Sequence, residues 1–244
     1  MTTAVRTAPP TKVPMTSTRK TALVAGIFYL ITFISIPTLG LYGHLKTDRS
    51  FVLGSGSDSG VLWGCLLEII VGIAGIGTAV TLFPVVKRQN EGFALGFVAS
   101  RTVEATMIFT GVVSLVSLMH LRQDLGTAAG ADSGALVANG LSLVSTYNAT
   151  FQLGQTLMPS INAVLLGYLM YRSGLVPRIL PTMGLIGAPL LMSATLATVL
   201  GYNQPLSAWS ALATLPVAVW ELSLGVWLTF KGFKPTPITA AIDT

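Results

Sequence analysis

Residues 93–119 read FALGFVASRTVEATMIFTGVVSLVSLM. A helix rises about 1.5 Å per residue, and about 20 residues are enough to cross a bilayer, so this stretch predicts a membrane-spanning helix. Its only charges are Arg101 and Glu104, three positions apart and therefore on one face of the helix. A guanidinium and a carboxylate at that depth have no water to solvate them and need partners inside the protein.

The rest of the chain has the same pattern. Of 244 residues, 52% are hydrophobic and 9% are charged, against roughly 25% charged in a soluble globular domain. Mean hydropathy is +0.72. So little polar surface cannot cover a water-soluble fold. The apolar residues come in long runs over Thr21–Gly43, Val61–Pro84, Phe93–Met119, Leu141–Tyr171, Pro177–Gly201 and Ala208–Phe230. These predict an all-α polytopic membrane protein, a bundle of six transmembrane helices over 21–230. The runs lack strict alternation and exceed the roughly 9–11 residues of a barrel strand, which argues against a β-barrel. A disordered cytoplasmic tail is expected over 1–20 and a short one over 231–244. The first run is longer than the 7–15 residues of a cleavable signal and has no clear cleavage site, so it is read as an uncleaved span.

Orientation comes from the cations. With six alternating spans, Arg6, Lys12, Arg19, Lys20, Lys87, Arg88, Arg172, Arg178, Lys231 and Lys234 fall on one side, and Lys46, Arg49 and Arg122 on the other. A bias of ten to three places both termini in the cytoplasm of the cell membrane. The net charge of +5 is thus a topology signal and an affinity for anionic headgroups, not a nucleic-acid footprint.

Soluble catalytic signatures are absent: no Walker loop, dinucleotide fingerprint, GxSxG elbow or HExxH appears. Cys65 is the single cysteine, which excludes an intramolecular disulfide. His44 and His120 fall at the outer ends of two spans, and without a carboxylate or thiolate cluster they make a poor metal or haem site. No catalytic residue, metal or cofactor is assigned. Pro37, Pro159, Pro189 and Pro216 interrupt spans; such bends line binding sites in transporters but occur in other membrane helices too. Gly92, Gly96 and Ser100, and again Gly184 and Ala188, have the small-xxx-small spacing of close helix approach, within the monomer or in a homo-oligomer.

Two sets of residues are candidates for ligand binding or proton relay. In the fourth span Asn148, Gln152, Gln155 and Asn162 recur in steps of four, three and seven, which puts them on one helical face. Amides facing lipid would be unpartnered, so this face is expected to turn toward the bundle or a wet cavity. Arg101, Glu104, Glu68 and Glu221 form the second set. Measured along their helices, Arg101 and Glu221 lie roughly 12 and 14 Å from the cytoplasmic ends, and Glu68 and Glu104 about 17–20 Å. One arginine cannot neutralise three glutamates, so Arg101 is expected to pair with Glu104 or Glu221 and at least one glutamate to carry a proton. A buried knot fixing helix register is the structural alternative.

Two segments, LFPVVKRQNEGFALGFVASRTVEA at 82–105 and YRSGLVPRILPTMGLIGAP at 171–189, closely resemble a bacterial membrane-protein family known as domain of unknown function number 4386. The likeness covers Thr21 to about Gly201. It implies a six-span membrane protein and transfers no catalytic residues. The function expected from the residues is binding or transport of a small solute, proton or lipid. The alternatives are a membrane enzyme acting on a lipid or isoprenoid, and a structural or regulatory subunit without a ligand. The partners expected are the lipid bilayer and a small-molecule, ion or lipid ligand, with no nucleic acid.

Overall fold

The computed structural model describes residues 15–54, 58–125, 132–205 and 207–243. Every regular element among them is helical: α1 (Ser17–Ile31), α2 (Thr38–Leu41), α3 (Gly43–Thr47), α4 (Ser59–Val86), α5 (Glu91–Leu125), α6 (Ser133–Phe151), α7 (Met158–Ser173), α8 (Ile179–Val199), α9 (Ala208–Phe230) and α10 (Pro237–Asp243), with 3-10 turns at Thr32–Ser35 and Phe51–Leu53. Five helical segments are long and apolar enough to cross a membrane: Ser17–Leu41, Ser59–Val86, Glu91–Gln123, Ile179–Val199 and Ala208–Phe230. Their outward faces are apolar. Ile73, Val80, Val113, Ile186 and Leu212 all stand more than half exposed, a surface that water would not tolerate over so large an area. The threonines on the outer face of α5 are satisfied within it, since Thr102, Thr106 and Thr110 each donate to the carbonyl four residues back.

The run expected as a fourth span, Leu141–Tyr171, is helical but not one regular helix. A π-helical turn over Gln152–Leu157 separates α6 from α7. Pro159 accounts for it: with no N–H it cannot bond the carbonyl of Gln155, and its ring crowds that carbonyl. The ladder widens instead, and the Met158 N–H bonds the Leu153 carbonyl five residues back. Pro37 has a comparable effect in the first span, where α1 gives way to the 3-10 turn at Thr32–Ser35 before α2 resumes. Pro84, Pro189 and Pro216 remain inside regular helices.

The long helices close a ring. α1 packs on α4 and α9, α4 on α5, α5 on α6 and α7, α7 on α8, and α8 on α9. At one end the chain is tied by its tails. The Arg19 guanidinium donates to the Leu228 and Thr229 carbonyls at 3.0 and 2.7 Å, and Lys234 N–H to Leu175 O at 2.7 Å. Arg88 reaches the Ala241 carbonyl, and the Thr18 hydroxyl and amide bond Asp243 at 2.6 and 3.1 Å. Those two bonds hold the Asp243 carboxyl below the usual carboxylate range. A disordered tail was expected over 1–20 and a short cytoplasmic tail over 231–244. Residues 1–14 lie outside the described residues, but Ser17–Lys20 belong to α1 and α10 packs on α1 and α4. The opposite end is fastened by Arg122, expected only as a loop cation. It is buried over the Phe51 ring, bonds the Gly54 carbonyl twice and pairs with Asp58 at 3.0 Å.

Two apolar clusters fill the bundle. One takes Val61 and Cys65 of α4 with Val112, Leu115, Leu118 and Met119 of α5; the other takes Ala79, Leu82, Val85 and Val86 of α4 with Ala94 and Phe97 of α5. Away from the ends of both helices, the charged residues fall between the clusters, at Glu68 and at Arg101 and Glu104. The tightest glycine crossing is not at the expected small-residue spacings of α5. A Cβ on Gly92 or Gly96 would meet nothing closer than 3.5 Å, whereas one on Gly26 of α1 would lie 2.6 Å from the Thr229 amide nitrogen and 2.8 Å from the Gly225 carbonyl of α9. Gly184, in the second expected group, does lie tight, with a Cβ position 2.8 Å from the Trp220 ring.

Candidate functional site

Arg101 is 2% exposed and stands at the centre of an ion cluster. Its Nη1 donates to Glu104 Oε2 at 3.0 Å and Oε1 at 3.3 Å, and its Nη2 to Glu221 Oε1 at 2.5 Å. Both partners considered from the sequence are therefore engaged, one on the same helix and one on α9. Asn162 Nδ2 donates to Glu104 Oε2 at 2.6 Å. The guanidinium also lies 5.3 Å from the Tyr29 ring centroid and 5.8 Å from that of Phe97, where the ring faces favour a cation. Glu104 thus uses both oxygens. Glu221 uses one, and its Oε2 has no hydrogen-bond partner among the described residues.

Glu68 does not join this cluster, although its depth along α4 suggested the same layer. It is 1% exposed and accepts from the Tyr147 hydroxyl at 2.8 Å and from Gln155 Nε2 at 3.4 Å. Lys46, outside the spans, lies over the Tyr147 and Phe151 rings at 5.8 and 5.4 Å. Burial pushes its ammonium below the usual lysine range, and the Glu68 charge partly opposes that. The two acidic positions are thus separate, with Gln155 reaching from one toward the other.

The amide face is split by the π turn. Asn162 and Gln155 reach the two acidic positions, and Gln152 Nε2 reaches the Thr195 carbonyl of α8 at 3.4 Å. Asn148 does not face inward; it is exposed. A π turn inserts one residue into the helical repeat and rotates the residues before it by roughly 100° relative to those after it. The inward place goes to Tyr147, 1% exposed, which the sequence reading missed. Only Pro159, with Gly154 before it, hinted at the shifted register. The Thr156 hydroxyl bonds the Gln152 carbonyl inside the turn and accepts from Thr195 at 3.2 Å, tying it to α8.

Tyr147→Phe is expected to lower stability by about 1–3 kcal/mol, because it removes the stronger of the two donors to a buried carboxylate. Glu68→Gln in the same background should recover most of that loss in thermal melts. An unchanged Tyr147→Phe melt would mean that the hydroxyl contributes nothing at Glu68.

Between the clusters is a cavity of about 250 Å³. Its polar wall is Arg101, Glu104, Glu221 and Gln155, and both irregular segments reach it, the 3-10 turn through Thr32 and Ser35 and the π turn through Gln155 and the adjacent Pro159. Gly75 of α4 is another wall residue: it is buried, yet a Cβ there would meet nothing within 4 Å. His44 and His120 are exposed and outside this cavity. Among the described residues no group of three His, Cys, Asp or Glu side chains could hold a metal ion.

Compared with known proteins, residues 24–232 match the model of a family described as domain of unknown function (DUF4386). The match runs past Gly201, where the likeness was expected to end, and takes in α9 with Glu221. No curated protein and no solved structure matches the chain.

Proposed function

The chain belongs to the DUF4386 family, whose description assigns no activity, and from that premise we propose a multi-pass protein of the cell membrane that binds or transports a small solute in the cavity between its helices. The observation that carries this reading is the 250 Å³ cavity, which has an arginine–glutamate cluster in its wall and two helix irregularities at its edge. Irregular backbone within membrane helices is tolerated where it is buried in protein or lines a cavity, and transporters place such breaks at their binding sites.

The proposal includes six spans, with α6, the π turn and α7 together making the fourth, and both termini cytoplasmic. Support comes from the closed ring of helices, from the tails tied together at one end, and from the ten-to-three bias of cations. Reporter fusions after Lys87 and Arg172 are expected to report a cytoplasmic location, and fusions after Lys46 and Arg122 an external one. An external signal at Lys87 would overturn the topology.

Gly75→Leu tests the cavity. The side chain enters open space, so the variant is expected to fold and to melt close to the parent while filling the binding volume. In a thermal-shift screen of small solutes, a ligand at about 100 times its Kd stabilises by about 2.7 kcal/mol. At least one solute is expected to raise the melting temperature of the parent and not that of Gly75→Leu. If every solute acts on both alike, the cavity is not a binding site and the ion cluster serves only to hold α5 against α9.

A further inference from the structure

Resting on that reading of the cavity, we propose that its ligand is a small monovalent organic cation, an ammonium group with an apolar body, seated against Glu221 Oε2.

Charge balance is the first support. Arg101 brings one positive charge against the two carboxylates of Glu104 and Glu221. The surrounding elements do not make up the difference. On α1 the ionisable group beside Arg101 is Tyr29, while Arg19 bonds the Leu228 and Thr229 carbonyls at the end of the helix; Asn162 of α7 is neutral, α8 has no ionisable residue, and Glu68 of α4 has its own partners, with Lys46 as its nearby cation. Within the Arg101, Glu104 and Glu221 cluster one carboxylate charge is left to be met by a cation from outside.

Its location is fixed by the hydrogen bonds. Both oxygens of Glu104 are occupied, by Arg101 and Asn162. Glu221 has one open oxygen and is the more exposed of the two, its side chain at 15% against 11%. An anion finds less, because both terminal nitrogens of Arg101 are already held by carboxylates and only its buried Nε lacks a hydrogen-bond partner.

The walls select the rest of the ligand. Phe33, Ile36, Val71, Ile108 and Val217 line the cavity beside the acids. A bare metal cation needs about six oxygen ligands, more than this wall supplies, whereas apolar side chains suit the body of an alkyl or aryl ammonium. The volume is just under the roughly 300 Å³ at which drug-sized pockets begin, which limits the ligand to about the size of a substituted benzylamine. Thr214 and Ile36, both lining residues, are exposed at the surface of the bundle, so the cavity reaches the outside between the 3-10 turn and α9.

The test is calorimetric titration of the full-length protein in lipid nanodiscs with benzyltrimethylammonium, benzyl alcohol and phenylacetate. The cation is expected to bind at least tenfold more tightly than the neutral and anionic probes. Glu221→Gln should remove the preference for the cation, and Gly75→Leu should remove binding of all three probes. The comparison of the three probes uses the unaltered protein, so the proposal stays testable if Glu221→Gln does not fold. Equal binding of benzyl alcohol or tighter binding of phenylacetate would overturn the cation assignment and leave the cavity as a solute site. Absence of binding by all three probes would overturn the cation assignment; only the wider solute screen, with Gly75→Leu as its control, decides the binding reading itself.

Discussion

Arg101→Met is expected to lower the stability of the detergent-solubilised protein by about 3–5 kcal/mol, the range found when a buried ion pair loses one member. The loss comes less from the missing attraction than from what is left behind. Glu104 and Glu221 would face each other across the gap between α5 and α9 with no guanidinium between them, and Glu104 would keep only the Asn162 amide. For a chain of this length each kcal/mol corresponds to roughly 2–4 °C, so the melting temperature should fall by on the order of 10 °C. Adding Glu104→Gln and Glu221→Gln should restore much of the loss, since the triple variant buries no charge in this layer. Arg101→Lys should fall between, because a single ammonium cannot bond two carboxylates from a planar fork as the guanidinium does. An Arg101→Met protein that melts like the parent would show that the cluster is not what holds α5 to α9.

Gly26→Val is expected to be nearly as damaging, at about 3 kcal/mol, the upper end of the range for overpacking. The obstacle includes backbone as well as the Thr229 hydroxyl: the new Cβ would stand 2.6 Å from the Thr229 nitrogen and 2.8 Å from the Gly225 carbonyl. α1 would have to move away from α9. That would also pull the Arg19 guanidinium from the Leu228 and Thr229 carbonyls and disturb the face on which Tyr29 meets Arg101. Thermal melting together with limited proteolysis of α1 would show the effect. A Gly26→Val protein with unchanged melting and protection would mean that α1 and α9 can separate without loss.

The solvent of this fold is written in composition: with 9% charged residues and long apolar runs, no water-soluble arrangement could hide the backbone and cover the surface. The partnership of Arg101 was also legible, because a guanidinium stays charged and must find a carboxylate, and Glu104 lay three residues on along the same helix while Glu221 lay at matching depth. The family likeness was likewise visible in two stretches beside the turns at Lys87–Gly92 and Arg172–Arg178. What spacing could not give was rotation. The steps between Asn148, Gln152, Gln155 and Asn162 assume 3.6 residues per turn throughout. A single π turn before Pro159 invalidates that assumption, turning Asn148 outward and Tyr147 inward onto Glu68. Depth alone also placed Glu68 near the arginine; only the tertiary placement of α6 and the π turn beside α4 decided that it has its own partners, Tyr147 and Gln155. The cavity belongs to the same class. It exists because the 3-10 turn after Ile31, the π turn and the missing side chain at Gly75 coincide in space. Local sequence determines what each residue needs, but which needs meet is settled by helix rotation and ring closure, and these depend on contacts between residues far apart in the chain.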